Sequence, residues 1–173
     1  MFWPPADRHL QEFSDARARL RACDHAGARL TLLGEGADRE RIEAEVARLH
    51  LGDRVVLTGY QSEPWRFYET ARCFVSSADS EAFGLVVAEA LAFGLPVVST
   101  RTEGPSEILE NGRHGVMVPI GDEDALALAI DRVLADPGDP APRQARAADF
   151  SVAAAVAAYA ALFDEIEREA AQA

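Results

Sequence analysis

The protein has 173 residues, of which 49% are hydrophobic and 27% are charged, so the chain is long enough for one well-packed domain and too short for two ordinary ones. Its 17 basic and 29 acidic side chains give a net charge of -12, which disfavours binding to nucleic acid and to anionic lipid surfaces. A small anionic ligand stays compatible with this charge, because backbone amides at the start of a helix can hold it.

In chain order, short apolar segments of strand length alternate with segments of helical periodicity. The predicted strands cover 28–33, 54–57, 73–76, 96–99 and 115–118. The predicted helices cover 7–22, a segment capped by Asp38, 64–70, a segment between Gly84 and Gly94, a turn at 106–109, 122–135 and 151–170. This alternation predicts an α/β fold with a Rossmann-like, doubly wound parallel sheet.

The chain is predicted to form a single domain over 1–173, with an irregular entry at 1–6, a core at 7–137, and a C-terminal turn and long helix at 138–173. On the last helix, Tyr159, Leu162 and Ile166 have the spacing of a core-facing stripe, and an interface to a missing half of the protein is the competing explanation.

The cysteines and the first residues of the chain indicate the cellular location of the protein. Cys23 and Cys73 lie far apart, and neither has a second Cys or a His at metal-ligand spacing, so we predict two small apolar residues and no metal site. No apolar run has the length of a membrane span, and the first residues lack the features of a signal peptide. We therefore expect a cytoplasmic protein without a transmembrane segment.

The segment 76–100 carries the strongest chemical pattern. Glu81 and Phe83 precede an apolar helix that starts at Gly84, and Glu89 is the only polar residue between Gly84 and Gly94. Free amides at this helix start, next to a residue without Cβ, suit a pyrophosphate. The alternative is that Gly84 merely eases a turn, and that Glu89 lies on a solvated helix face.

The spacing of the two glutamates adds a second constraint. With a rise of roughly 1.5 Å per helical residue, Glu81 and Glu89 are expected on the order of 10 Å apart. This separation suits a sugar at one end of a diphosphate and a ribose at the other, and is too long for the paired carboxylates of a retaining glycosidase.

The segments 80–85 and 94–98, together with the two glutamates, closely resemble the donor-binding half of the retaining GT-B glycosyltransferases of group 1, family 4. Further similar segments are 32–36, 55–60, 103–109 and 111–119. The resemblance implies that Glu81 binds the hexose hydroxyls, Glu89 binds the ribose hydroxyls, and no metal or cofactor is needed. The implied substrate-binding residues for a UDP- or GDP-sugar are Gly34, Gly36, Tyr60, Glu81, Phe83, Gly84, Leu85 and Glu89.

The chain also departs from this family. The family uses an Arg and a Lys to neutralise the leaving diphosphate; Arg8 falls at the Lys position, whereas Trp3 falls at the Arg position and cannot carry the charge. The resemblance therefore assigns catalytic roles to Glu81 and Arg8. The family's first strand would precede Met1, so the sheet is expected to lack that strand and the chain to be N-terminally truncated.

The predicted function is transfer of a hexose from a nucleoside-diphosphate sugar to an unknown acceptor, with retention. An acceptor-binding half is absent from this length, so the isolated chain is expected to be inactive without a separate N-terminal acceptor domain; self-association is the other expected partnership. The alternatives are a non-catalytic remnant or interaction module of the same fold and, ranked lower, a nucleotide-sugar epimerase.

Overall fold

The computed structural model describes residues 29–36 and 39–171 of the chain. Its strands are β1 (Leu30–Leu33), β2 (Val55–Gly59), β3 (Phe74–Ser76), β4 (Val97–Thr100) and β5 (Val116–Val118). Its helices are α1 (Arg39–Arg48), α2 (Trp65–Tyr68), α3 (Leu85–Ala92), α4 (Glu103–Ile108), α5 (Glu123–Ala135), α6 (Ala141–Ala148) and α7 (Val152–Ala170), with a 3-10 turn at Glu110–Gly112. The predicted helix over 7–22 and residues Trp3, Arg8, Cys23 and Asp38 lie outside the described residues.

All strand pairs of the described residues are parallel, which confirms the predicted α/β fold. One ladder joins β1 to β2, and a second runs in the order β3, β4, β5. Within the described segments, β1 and β3 each have a strand partner on one side only. The absence of the strand that the family resemblance places before Met1 stays a prediction, because residues 1–28 lie outside the described residues.

The main core lies between α3 and the three-stranded sheet. Every residue of β4 is buried, as expected for a central strand of a sheet that is covered on both faces. Val87, Ala90 and Leu91 of α3 are fully buried and pack with Val97 of β4 and with the end of α4. The apolar helix between the two glycines is therefore fixed in the protein core, and only its first turn and the Glu89 side reach the surface.

The helix α6 was not predicted, because Pro140 and Pro142 indicate a turn. Both prolines lie at the start of the helix, where no backbone donor is required, so they begin the helix instead of breaking it. Arg143 Nε donates a hydrogen bond of 2.8 Å to the carbonyl of Gly94. A Cβ atom at Gly94 would come within 2.7 Å of Pro140 Cβ, so glycine there lets α6 pack on the end of α3.

The last helix has the predicted bounds but a different environment. Ser151 caps it, accepting a hydrogen bond from the Ala154 amide. The prediction that Tyr159, Leu162 and Ile166 face the core is wrong, because all three side chains are exposed. Helical spacing specifies that these side chains share a face, but it carries no information about what covers that face.

The structure also bears on the membrane prediction. Within the described ranges, no single helix combines the length and the apolar composition that crossing a membrane requires, although the bent pair α6 and α7 meets both criteria when its two helices are counted together.

Candidate functional site

Two loops follow the carboxyl ends of β3 and β4 and are tied to each other. The Thr100 hydroxyl donates a hydrogen bond of 2.6 Å to the carbonyl of Ala78. The Gly104 amide donates one of 3.0 Å to the carbonyl of Glu81. Ligands of open parallel sheets bind at this edge, so the predicted sugar-binding loop has its backbone held by the neighbouring loop.

Two glycines make the close approach of these loops possible. Gly84, immediately before α3, has a φ of 79°, in the left-handed region that favours glycine. Gly104 lies in the first turn of α4, and a Cβ atom there would overlap the backbone of Phe83. The sequence analysis assigned Gly84 to the site and missed Gly104, because the packing of one loop on another cannot be inferred from a local motif.

The Glu81 carboxylate is bound by the backbone amides that were predicted to hold a diphosphate. Its Oε1 atom accepts hydrogen bonds from the Phe83 amide at 3.1 Å and from the Gly84 amide at 2.9 Å. Leu85 follows as the first residue of α3, where amides have no partner within the helix. The start of α3 thus directs two amides at one anionic oxygen, which is the geometry of an anion-binding site.

The second predicted carboxylate, Glu89, lies one turn further along α3 and is half-buried. Its Oε2 atom accepts a hydrogen bond of 3.0 Å from the Tyr68 hydroxyl at the end of α2. Burial of the phenol, reinforced by the neighbouring Glu89 charge, raises the pKa of Tyr68 above its ordinary value, so the hydroxyl remains a donor. The sequence analysis missed Tyr68, since no spacing rule relates it to Glu89.

The half-exposed Phe83 side chain is supported from the C-terminal part of the chain. Its ring meets the Phe150 ring edge to face, with 6.2 Å between centroids. The Arg146 guanidinium lies 4.6 Å from the centroid of the Phe150 ring and donates hydrogen bonds to the carbonyls of Ile108 and Glu107 at 2.9 and 3.0 Å. One arginine of α6 therefore connects the end of α4 with the aromatic support of the Phe83 loop.

The remaining described candidates lie on the two-stranded sheet. The Gly34 amide donates a hydrogen bond of 2.9 Å to the carbonyl of Gly59, which joins the carboxyl ends of β1 and β2. The Gly36 carbonyl accepts a hydrogen bond of 3.2 Å from the Arg39 amide at the start of α1, and the Tyr60 side chain is 78% exposed. The candidates thus form two groups, one at the ends of β1 and β2 and one around the start of α3.

Two further predictions concern charge at the site. Arg8 lies outside the described residues, so its position relative to Glu81 stays a prediction. The described part of the chain contains no cluster of three or more His, Cys, Asp or Glu side chains that could hold a metal ion.

The family model described as "Glycosyl transferases group 1" matches residues 6–150. This range covers most of the chain and includes both groups of candidate residues. The chain belongs to the group 1 glycosyl transferases. The resemblance of the segments around Glu81, Gly84 and Glu89 to this family is thereby confirmed.

Curated proteins and solved structures resemble the chain to different extents. The lipopolysaccharide core biosynthesis glycosyltransferase LpsE of Rhizobium meliloti (strain 1021) is 39% identical over 110 residues, which are 64% of this chain and 32% of that protein. The structure of sucrose-phosphate synthase from Thermosynechococcus elongatus has a TM-score of 0.77 and 30% identity over 95% of this chain and 44% of that chain. The architecture is that of one half of a GT-B glycosyltransferase.

A third similar protein was solved with ligands. The structure of the pneumococcal O-GlcNAc transferase GtfA, in complex with UDP and GlcNAc, has a TM-score of 0.77 with 19% identity, covering 92% of this chain and 33% of that chain. At this identity the likeness concerns the fold. The group 1 chain described here spans about a third of the length of LpsE.

Proposed function

We propose that this protein is the donor-binding domain of a retaining glycosyltransferase, which transfers a hexose from a UDP- or GDP-sugar to an acceptor. The observation that carries the proposal is the pair of amides, from Phe83 and Gly84, that converge on one anionic oxygen at the start of α3. Membership of the group 1 family supports a nucleoside-diphosphate sugar as the anion. The GtfA complex, which contains UDP and GlcNAc, supports a nucleotide-sugar for this fold.

In this proposal the start of α3 and Glu89, one turn further along the helix, contact different parts of the donor. The amides of Phe83, Gly84 and Leu85 bind the diphosphate and stabilise the charge that develops on it as the sugar departs. Glu81 binds the hexose hydroxyls and Glu89 the ribose hydroxyls. Donor binding therefore requires the Glu81 carboxylate to leave the amides that it accepts from in this structure.

The nucleotide would extend toward the ends of β1 and β2. Gly34 and Gly36 lack side chains and allow a close approach of the backbone, and Tyr60 would lie against the base. Arg8 would neutralise part of the diphosphate charge in place of a metal. These assignments rest on the match of each residue to a position of the family motif.

The activity of the whole protein is a further part of the proposal. The chain spans about a third of LpsE, and transfer to an acceptor would require an acceptor-binding domain, either on a separate chain or on a longer form of this one. The cytoplasmic location stays a prediction. Nucleotide binding, which needs the donor site alone, is therefore the property that tests the proposal.

Replacing Glu89 with alanine tests the nucleotide site. Isothermal titration calorimetry with UDP and with GDP is expected to show binding of at least one nucleotide by the unmodified protein. Affinity for that nucleotide should fall about 10- to 100-fold in Glu89→Ala, because hydrogen bonds from the ribose hydroxyls to a charged carboxylate are lost.

Glu167→Ala is the matched control, since Glu167 lies exposed on α7 and is not among the candidate site residues. Its nucleotide affinity should equal that of the unmodified protein. Absence of any heat signal and of any thermal shift with UDP and GDP would contradict the proposal and favour a non-catalytic interaction module. Equal affinities of Glu89→Ala and Glu167→Ala would contradict the assignment of Glu89.

A further inference from the structure

The hydrogen bond between Tyr68 and Glu89 joins two elements that are far apart in the chain. The Tyr68 hydroxyl lies at the end of α2, and the Glu89 carboxylate lies on α3; the two oxygen atoms are 3.0 Å apart. Glu89 is otherwise surrounded by apolar residues of its own helix. The tyrosine thus provides a described polar partner for a half-buried carboxylate, at one of its two oxygens.

The Tyr68 ring is itself held in place by aromatic packing. It meets the Phe74 ring of β3 edge to face, with 6.1 Å between centroids, and the Phe93 ring at the end of α3 with 5.5 Å between centroids. The hydroxyl is therefore anchored to β3 and to the end of α3 as well as to α2. A donor fixed at this many points restricts the rotamers that the flexible Glu89 side chain can adopt.

The direction of the hydrogen bond is also defined. An ionised carboxylate can only accept, and a protonated phenol can donate. Because Tyr68 stays protonated, the donor and acceptor roles persist wherever Glu89 is ionised. The bond occupies Oε2 and leaves Oε1, together with the remaining lone pair of Oε2, available to hydroxyl groups of a ligand.

We propose that Tyr68 is a positioning residue for the nucleotide site, which orients the Glu89 carboxylate so that it accepts hydrogen bonds from the two ribose hydroxyls of the donor. The inference rests on the proposed function, because Glu89 is assigned to the ribose there. Tyr68 acts through Glu89 and has no contact of its own with the ligand. Pre-orienting the carboxylate lowers the loss of side-chain freedom on binding and so raises affinity.

A positioning role and a purely structural role for Tyr68 predict different effects of its removal on nucleotides with and without ribose hydroxyls. Tyr68→Phe removes the hydroxyl and keeps the ring that packs on Phe74 and Phe93. If Tyr68 acts through Glu89, the variant loses affinity only for a nucleotide that has ribose hydroxyls. If the hydroxyl merely supports the fold, affinity falls equally for a nucleotide without them.

The experiment measures affinity by calorimetry for UDP, GDP and their 2′,3′-dideoxy analogues. In Tyr68→Phe, affinity for the nucleotide that the unmodified protein binds should fall about fivefold to tenfold. Affinity for its dideoxy analogue should change by less than about twofold. In a Glu89→Ala background the same tyrosine substitution should have no further effect, because the group it orients is gone.

Tyr159→Phe is the control for loss of a phenol hydroxyl, since Tyr159 is exposed on α7 and packs only with Phe163 of the same helix among the described rings. It should leave all four affinities unchanged. Equal losses of Tyr68→Phe for ribose and dideoxy nucleotides, or no loss for either, would overturn the positioning role and leave the proposed function intact. Failure of the unmodified protein to bind UDP and GDP would overturn both.

Discussion

Replacement of Gly104 by alanine is expected to destabilise the protein by about 3 kcal/mol and to abolish nucleotide binding. The added Cβ would overlap the carbonyl and Cα of Phe83, which are backbone atoms and cannot rotate away. The loop must then move, which separates the Phe83 and Gly84 amides from their shared anion. Urea denaturation measures the free energy of unfolding, and calorimetry with UDP and GDP measures binding.

Gly52→Ala is the matched control for this substitution. Apart from its chain neighbours, no atom of the described residues lies within 4 Å of the position of a Cβ at Gly52, so alanine fits without strain. Its free energy of unfolding should equal or slightly exceed that of the unmodified protein, because alanine restricts the unfolded chain. Similar unfolding curves for Gly104→Ala and Gly52→Ala would show that the two loops can separate at little cost, contrary to the packing described above.

Arg146→Ala is expected to lower the free energy of unfolding by about 2 to 3 kcal/mol. The side chain of Arg146 is 16% exposed, and its guanidinium donates to the carbonyls of Glu107 and Ile108 at the end of α4. Alanine leaves these helix-terminal carbonyls without that donor and removes the cation above Phe150. Denaturation in urea, with nucleotide affinity as a second measurement, tests this expectation.

Arg113→Ala is the control that distinguishes the expected destabilisation by Arg146→Ala from the loss of a surface charge. The Arg113 side chain is 75% exposed, and its described partner is Glu110, the same carboxylate that lies 3.6 Å from Arg146. Exposed pairs of this kind contribute little to stability, so Arg113→Ala should unfold at the same urea concentration as the unmodified protein. A loss as large as that of Arg146→Ala would indicate that charge on the surface, and not capping of α4, stabilises this region.

The sequence predicted the fold closely where local patterns specify it. All five predicted strands are present and parallel, and the helix capped by Asp122 runs to Ala135 as predicted, with the Asp122 carboxylate accepting from the Ala125 amide. Alternation of short apolar strands with capped helices is a local signal, and glycine and proline punctuate it. The helix α4 begins earlier than predicted, since Pro105 is accommodated in its first turn.

The sequence names candidate residues for the site but does not specify their contacts. The two glutamates and the amides at the start of α3 follow from the pattern of one segment. Tyr68 and Gly104 act across loops that meet only after folding, and Arg146 lies on a helix whose prolines predict a turn. Partners in space at long sequence separation leave no periodic signal, which is why these residues required the structure.

In the proposed donor site, the hydrogen bonds from the Phe83 and Gly84 amides to Glu81 make this carboxylate a competitor of the donor diphosphate. When an anion binds, the two amides exchange the Glu81 carboxylate for an oxygen of the ligand. The free energy gained on binding is therefore the difference between these two interactions. The apparent affinity is the intrinsic affinity scaled by the fraction of molecules in which the amides are free. The contact with Glu81 also keeps the two amides hydrogen-bonded and oriented before a ligand arrives.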